Sequence, residues 1–259
     1  MSRHRPISHE RFHWTHADFT RPFDMRGLPP QVDAVVYLAQ SEQFRDFPAS
    51  ACNIFEVNTA TVLRALDYAR GAGVRHFVFA SSGGVYGTGD HRFAEDYPVP
   101  ATGELGFYLS TKLCSEILAR NYAAFFSVSI LRMFFVYGAG QRRNMLIPRL
   151  VDNVREGRAI DLAGRDGIRI NPTHVSDAVR AIEGALALDG SHTINIAGPE
   201  VLSLRDIGEA IGRAVGRAPE WNVNDGIPSN HIVGDIGKMT RLLAAPSVGF
   251  MDGLRASGF

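Results

Sequence analysis

Between Val74 and Lys112 the chain reads VRHFVFASSGGVYG, then a polar stretch of about twenty residues, then FYLSTK. Phe77-Val78-Phe79-Ala80 is a short apolar run with Gly73 before it and Gly83 after it, the pattern of a strand buried on both faces of a parallel sheet. It ends in Ser81-Ser82-Gly83-Gly84, where small residues let another molecule approach the backbone. Tyr108 and Lys112 then fall four apart at the start of a helix, on one face. A phenol is a poor base at its ordinary pKa of about 10. A nearby ammonium lowers that value and a serine hydroxyl relays a proton, so a serine at a strand end beside a Tyr-x-x-x-Lys helix is a proton-transfer device.

The remaining chain is consistent with a sheet of that kind. A strand is expected over 33–38, a helix from Cys52 to Arg70 ended by Gly71 and Gly73, and a strand over 127–134. Strand, helix, strand, helix, strand is the order of a doubly wound parallel sheet. From about 139 the texture changes. A polar loop, Gly140-Gln141-Arg142-Arg143-Asn144, leads to a helix near 147–156, and Asp161 to Ile170 reads as a hairpin or loop turning at Gly164-Arg165-Asp166-Gly167. A helix follows from Val175, a strand over 193–196, and a helix opened by the capping box Ser203 to Asp206.

With 259 residues, the chain is long enough for a sizeable core. Its formal net charge of zero gives no pull toward nucleic acid or an anionic membrane. Cys52 and Cys114 show no metal-ligand spacing and fit a reducing compartment, and no apolar run has the length of a bilayer span. A cytoplasmic protein without metal is expected.

Six pieces, in order, carry a resemblance: Val35-Val36-Tyr37-Leu38-Ala39, Val57-Asn58, Ser81-Ser82-Gly83-Gly84-Val85-Tyr86-Gly87, Tyr108 to Lys112, Leu131-Arg132 with Val136-Tyr137-Gly138, and Asn171-Pro172-Thr173-His174-Val175-Ser176-Asp177. The chain resembles the extended short-chain dehydrogenase/reductase family, the NAD-dependent epimerases and dehydratases. The resemblance implies a Rossmann-like domain over 1–138 and 173–197 and a smaller, discontinuous substrate lobe over 139–172 and 198–259. It makes Tyr108 the general acid/base, has Lys112 hold the cofactor ribose and lower the phenol pKa, and has Ser82 orient a substrate hydroxyl. NAD or NADP would lie along the strand ends at Leu38, Ala39, Ala80 and Ser81, with Asn58 fixing the backbone nearby. Asn58 as an exposed helix asparagine is the alternative. Ser82, Gly83, Phe135, Arg142 and Arg169 would face a small-molecule substrate with a sugar-like or other hydroxyl or keto group. Loop arginines, Arg143 included, are otherwise simply solvated. The helices over 52–70 and 108–125 would pair with a second copy in a homodimer, or else pack only on their own sheet.

Two departures narrow the implied reaction. Sugar-nucleotide 4,6-dehydratases carry an Asp-Glu pair after the catalytic Ser/Thr, whereas Gly83 and Gly84 supply no acid or base, which argues against that elimination. Phe135 stands where sugar-nucleotide epimerases carry an asparagine donor, and phenylalanine cannot donate. A third departure concerns the cofactor. The G-x-x-G-x-x-G turn that seats a pyrophosphate on a helix N-terminus does not occur in the 259 residues. Phe12 to Asp18 resembles the family's third strand, so the sheet is expected to lack its first βα unit. Ser2-Arg3-His4-Arg5-Pro6 resembles the loop where arginines meet an adenosine 2′-phosphate, or is a solvated tail. Three readings stay open: an NAD(P)-dependent epimerase or reductase whose start lies upstream of Met1, a cofactor-free binding or scaffold descendant, and an inactive remnant.

Overall fold

The structure, a computed structural model, describes residues 12–100, 105–228 and 230–259. Its centre is a four-stranded parallel sheet in the order Ala34–Tyr37, His76–Ser82, Ser127–Met133, His192–Ile196. The apolar run before the serines is the second strand: Phe77, Val78 and Phe79 are fully buried between Val35–Tyr37 on one side and Val128–Ile130 on the other. Parallel strands need long crossovers, and helices supply them on both faces. Val62, Leu66 and Ala69 of the Thr61–Gly71 helix and Ala119 of the Gly106–Asn121 helix pack with Phe77, Phe79 and Ile130. On the opposite face Ala181 and Ala185 of the Val175–Ala185 helix and Met239 pack with Val78, Leu131 and Ile194.

The helix expected from Cys52 is continuous from Ala51 to Gly71 but contains one π-helical turn, Glu56–Ala60, which carries Asn58. Such a widened turn re-aims side chains and recurs at functional positions. A third core cluster joins Tyr137 to Ile147, Leu150, Val151 and Val154, to Ile160, Leu162 and Ile170, and to Ile207, Ile211, Phe250 and Leu254. It gathers segments far apart in the chain, beyond the sheet strands. The capping box at Ser203 forms as expected, with Ser203 Oγ accepting from the Asp206 N–H at 3.0 Å.

One expectation is decided between its alternatives and another corrected. Asp161 to Ile170 is a loop and not a hairpin: Ile160–Ala163 pairs in parallel with Trp221–Asn224, and Arg169–Ile170 pairs antiparallel with Leu202–Ser203. Gly164 and Gly167, both at positive φ, make the loop between them. Phe12 to Asp18 forms no strand, only an isolated bridge at His16. A strand needs a neighbour for its ladder, and among the described residues Ala34–Tyr37 is the last member of the sheet on that side. Beside it lies a groove of about 520 Å³ lined by Phe19, Met25, Leu28, Val35, Tyr37 and Leu38.

Candidate active site

The carboxyl ends of the parallel strands carry the candidate residues, where open α/β sheets bind ligands. Ser82 ends the second strand, and its Oγ accepts from the Gly84 N–H at 3.2 Å. Tyr108 lies in the first turn of the Gly106–Asn121 helix, partly buried. Burial pushes its phenol up to about 12, and the Ser82 hydroxyl pulls the other way. The phenol's own hydrogen bond goes to Gln40 Oε1 at 2.8 Å, while the Ser82 hydroxyl is near enough to favour its ionised form. Lys112, one turn further on, is 2% exposed and donates from Nζ to the Ala80 carbonyl at 3.0 Å. Burial lowers its pKa to about 8, against the pull of the Glu116 carboxylate. The sequence-based expectation that the ammonium depresses the phenol pKa is thus not met here. The lysine reaches back to the strand, and burial is the largest influence on the phenol.

Asn58 is not an exposed helix residue: it is fully buried. Its Oδ1 accepts from the Ser41 N–H at 2.9 Å, its Nδ2 donates to Thr111 Oγ1 at 3.1 Å, and its carbonyl accepts from Ser115 Oγ at 2.6 Å. It thereby ties the turn after the first strand and the tyrosine helix to its own π turn. Ser81, expected beside the cofactor, sends its hydroxyl to Glu116 Oε1 at 2.6 Å instead. Leu38 is 55% exposed and Ala39 half-buried at the end of the first strand.

The expected substrate-side residues separate. Gly83 is needed by the fold, since a Cβ there would meet the Phe134 ring at 2.5 Å. Phe135 holds φ +42°, a left-handed value that a bulky side chain rarely adopts, and its carbonyl accepts from the Thr173 N–H at 3.3 Å. Arg142 is paired with Glu42, and Arg143 with Asp152. Arg169 is exposed in its short strand, where its N–H donates to His231 Nδ1 at 3.0 Å. Beside Ser82 and Tyr108, a cavity of about 620 Å³ is lined by Gly84, Tyr86, Thr88, Tyr97, Leu109 and Ile232. Arg3 and Arg5 lie outside the described residues.

Three residues were given no role from the sequence, although Arg132 belongs to one of the pieces that carry the resemblance. Glu116, fully buried, receives Ser81, a two-point bond from Arg132 (3.0 and 2.8 Å) and Arg120 Nη2 at 2.8 Å. Arg132 Nη1 has no hydrogen bond, but the guanidinium lies over the Tyr86 ring at 4.5 Å. The available signal was spacing: Glu116 follows Lys112 by four and Tyr108 by eight, on one helix face. Gln40, whose Oε1 accepts the Tyr108 hydroxyl at 2.8 Å, had no signal beyond its place at a strand end.

Tyr108 and Lys112, the residues expected at the ribose end of a dinucleotide, lie one turn apart on their helix, with the Lys112 ammonium at the Ala80 carbonyl near the strand terminus. Among the described residues no glycine-rich turn opens a helix at the sheet's open side to meet a pyrophosphate. A parallel sheet with a Tyr-x-x-x-Lys helix against a serine-ended strand defines a protein of the extended short-chain dehydrogenase/reductase class. The chain belongs to the NAD dependent epimerase/dehydratase family, whose profile matches residues 2–197. It is 30% identical over 240 residues to an uncharacterized UDP-glucose epimerase of Bacillus subtilis strain 168, covering 89% of this chain and 75% of that one. It is 27% identical to a dTDP-4-dehydro-6-deoxy-D-allose reductase of Streptomyces bikiniensis, over 85% of this chain and 70% of the relative. Among solved structures, UDP-glucuronic acid 4-epimerase from Bacillus cereus in complex with NAD superposes with a TM-score of 0.83 at 26% identity, over 96% of this chain and 78% of that one.

Proposed function

We propose that the chain carries the acid/base and substrate half of an NAD(P)-dependent, cytoplasmic epimerase or reductase acting on a sugar-like hydroxyl or keto group. The single observation behind this reading is the pull of the Ser82 hydroxyl, at the end of its strand, on the phenol of Tyr108 in the first turn of its helix. The dinucleotide, when bound, supplies hydride transfer. Ser82 orients the substrate hydroxyl. Tyr108 takes that hydroxyl's proton as a carbonyl forms, or returns one as a carbonyl is reduced. With its phenol near 12, Tyr108 holds its proton at neutral pH and is poised as the acid. Lys112 orders the ribose. The lobe over 139–172 and 198–259 holds the substrate, and Phe135 presents an apolar wall where an asparagine would have donated to a nucleotide phosphate. Arg142 becomes an anion contact only on leaving Glu42.

The open sheet side and the missing glycine turn favour a second reading, a cofactor-free descendant. Charge-assisted hydrogen bonds contribute about 1.5–3 kcal/mol each, so lacking two or three of them weakens dinucleotide binding on the order of a thousandfold. Calorimetric titration with NADH and NADPH decides between the readings. The 259 residues alone are expected to bind weakly, and a version preceded by a strand, glycine turn and helix to bind in the micromolar range. If neither binds, the cofactor-free reading stands. Micromolar binding by the 259 residues alone would place a phosphate site elsewhere in the chain. In the version that binds, Tyr108→Phe is expected to lower turnover of a keto- or hydroxy-sugar nucleotide by about 10²–10⁴-fold, and an unchanged rate removes Tyr108 from its role.

A further inference from the structure

Gln40 lies three residues beyond the end of the first strand, with its side chain over the tyrosine helix. Its Oε1 accepts the Tyr108 hydroxyl proton at 2.8 Å. The segment carrying it is held on several sides. The Ser41 N–H is bound by buried Asn58, the Phe44 ring packs on the Tyr108 ring at 5.0 Å between centroids, and Glu42 pairs with Arg142 across the cleft. The amide is therefore delivered to one place, the phenol oxygen, although Gln40 itself is exposed.

A carbonyl acceptor suits a phenol that still has its proton but offers nothing to the phenolate left after proton transfer. A primary amide carries both partners, an acceptor oxygen and a two-donor nitrogen, and a half-turn about its last torsion exchanges them. We propose that Gln40 is a positioning residue for Tyr108, holding the phenol through Oε1 before proton transfer and the phenolate through Nε2 after it. This rests on Tyr108 being the acid/base. In the proton transfer the phenol O–H bond breaks and a substrate O–H bond forms, on the oxygen whose carbon would take the hydride that a bound dinucleotide would supply; the proton is regained in the reverse transfer. A hydrogen bond to an ion is roughly twice as strong as one between neutral groups, so an amide that serves both states favours the phenolate on balance. The charged groups on the elements around the phenol are Lys112 on its own helix, Glu42 and Arg45 on the segment bearing Phe44, and Arg142 paired with Glu42.

The test is a titration of Tyr108 itself. A fluorinated tyrosine, whose phenol ionises nearer neutrality, is placed at position 108 in the 259-residue chain and in its Gln40→Leu and Gln40→Glu variants. Phenolate absorbance is followed against pH, with circular dichroism confirming the fold of each. Gln40→Leu is expected to raise the midpoint by about one pH unit, a tenfold fall in the ionisation constant, and Gln40→Glu to raise it further by adding charge. A Gln40→Leu midpoint equal to or below that of the unsubstituted chain overturns the proposal, even if Gln40→Glu shifts. The titration needs neither cofactor nor substrate. A shifted midpoint establishes the hold of Gln40 on the phenol whatever the activity, while its part in proton transfer falls together with the proposed function if a version that binds the dinucleotide never turns over; an active enzyme with an unmoved midpoint overturns the Gln40 proposal and leaves the proposed function standing.

Discussion

At the scale of single residues, the buried charges behind the site carry the most consequence. Glu116 and Arg132 are both removed from water, and each is the other's main partner. Breaking such a pair from one side leaves an uncompensated buried charge, which costs about 3–5 kcal/mol. Glu116→Gln keeps the shape and removes the charge, so urea unfolding is expected to show a loss of that order, with a smaller loss when Arg132→Met is added than the two single changes would sum to. Lys112 gives a pH signature. Its folded pKa, about 8, lies below the ordinary 10.5. Between those values the unfolded chain binds more protons than the folded one, so stability rises with pH across that window. Below about pH 8 both states carry the proton and the burial penalty is present in full. The unfolding free energy of the native chain, measured against Lys112→Met, is expected to climb by about 3 kcal/mol between pH 8 and 10.5. A flat difference would mean that the ammonium is hydrated.

At the scale of elements, the π turn at Glu56–Ala60 positions the site through Asn58. Because the widened turn carries Asn58 inward, its amide reaches the turn after the first strand and the tyrosine helix together. Asn58→Ala leaves the Ser41 N–H and Thr111 hydroxyl to find other partners, at about 1–3 kcal/mol per buried group stranded. Thermal melts are expected to record that loss. Amide exchange at Ser41 is expected to quicken beyond the change in global stability, because the 40–45 segment loses its inner anchor. Equal acceleration throughout the chain would make Asn58 an ordinary core residue.

At the scale of the whole molecule, two surfaces are unlike an ordinary exterior. One is the open side of the sheet, where Val36 is 38% and Leu38 55% exposed beside the apolar groove. The other is the outer face of the two helices expected to pair with a second copy, where Phe55 (49%), Leu63 (42%) and Ile117 (51%) stand in solvent. Both helices pack their inner faces on the sheet, and that packing leaves these side chains uncovered. We propose that a homodimer forms on these helices and buries the three side chains. Sedimentation is expected to show a dimer that Ile117→Asp converts to a monomer without unfolding it; a monomer before the substitution removes the proposal.

Much of this protein was legible in local pattern. An apolar run ending in small residues can only be a buried strand offering its terminus, and Tyr108 and Lys112 share a helix face because 3.6 residues make a turn. The neighbouring parallel strands and the capping box followed from such short-range regularities. The tertiary structure alone decided what each polar atom faces. Lys112 turns to Ala80 and not toward the phenol, Ser81 is claimed by Glu116, and Arg142 meets Glu42, one hundred positions earlier in the chain. It also decided that Phe12 to Asp18, strand-like in composition, carries only a bridge at His16 and no strand. Spacing along a chain sets which way a side chain leaves its own element; burial and partners from distant segments set its charge, its hydrogen bonds and its chemistry.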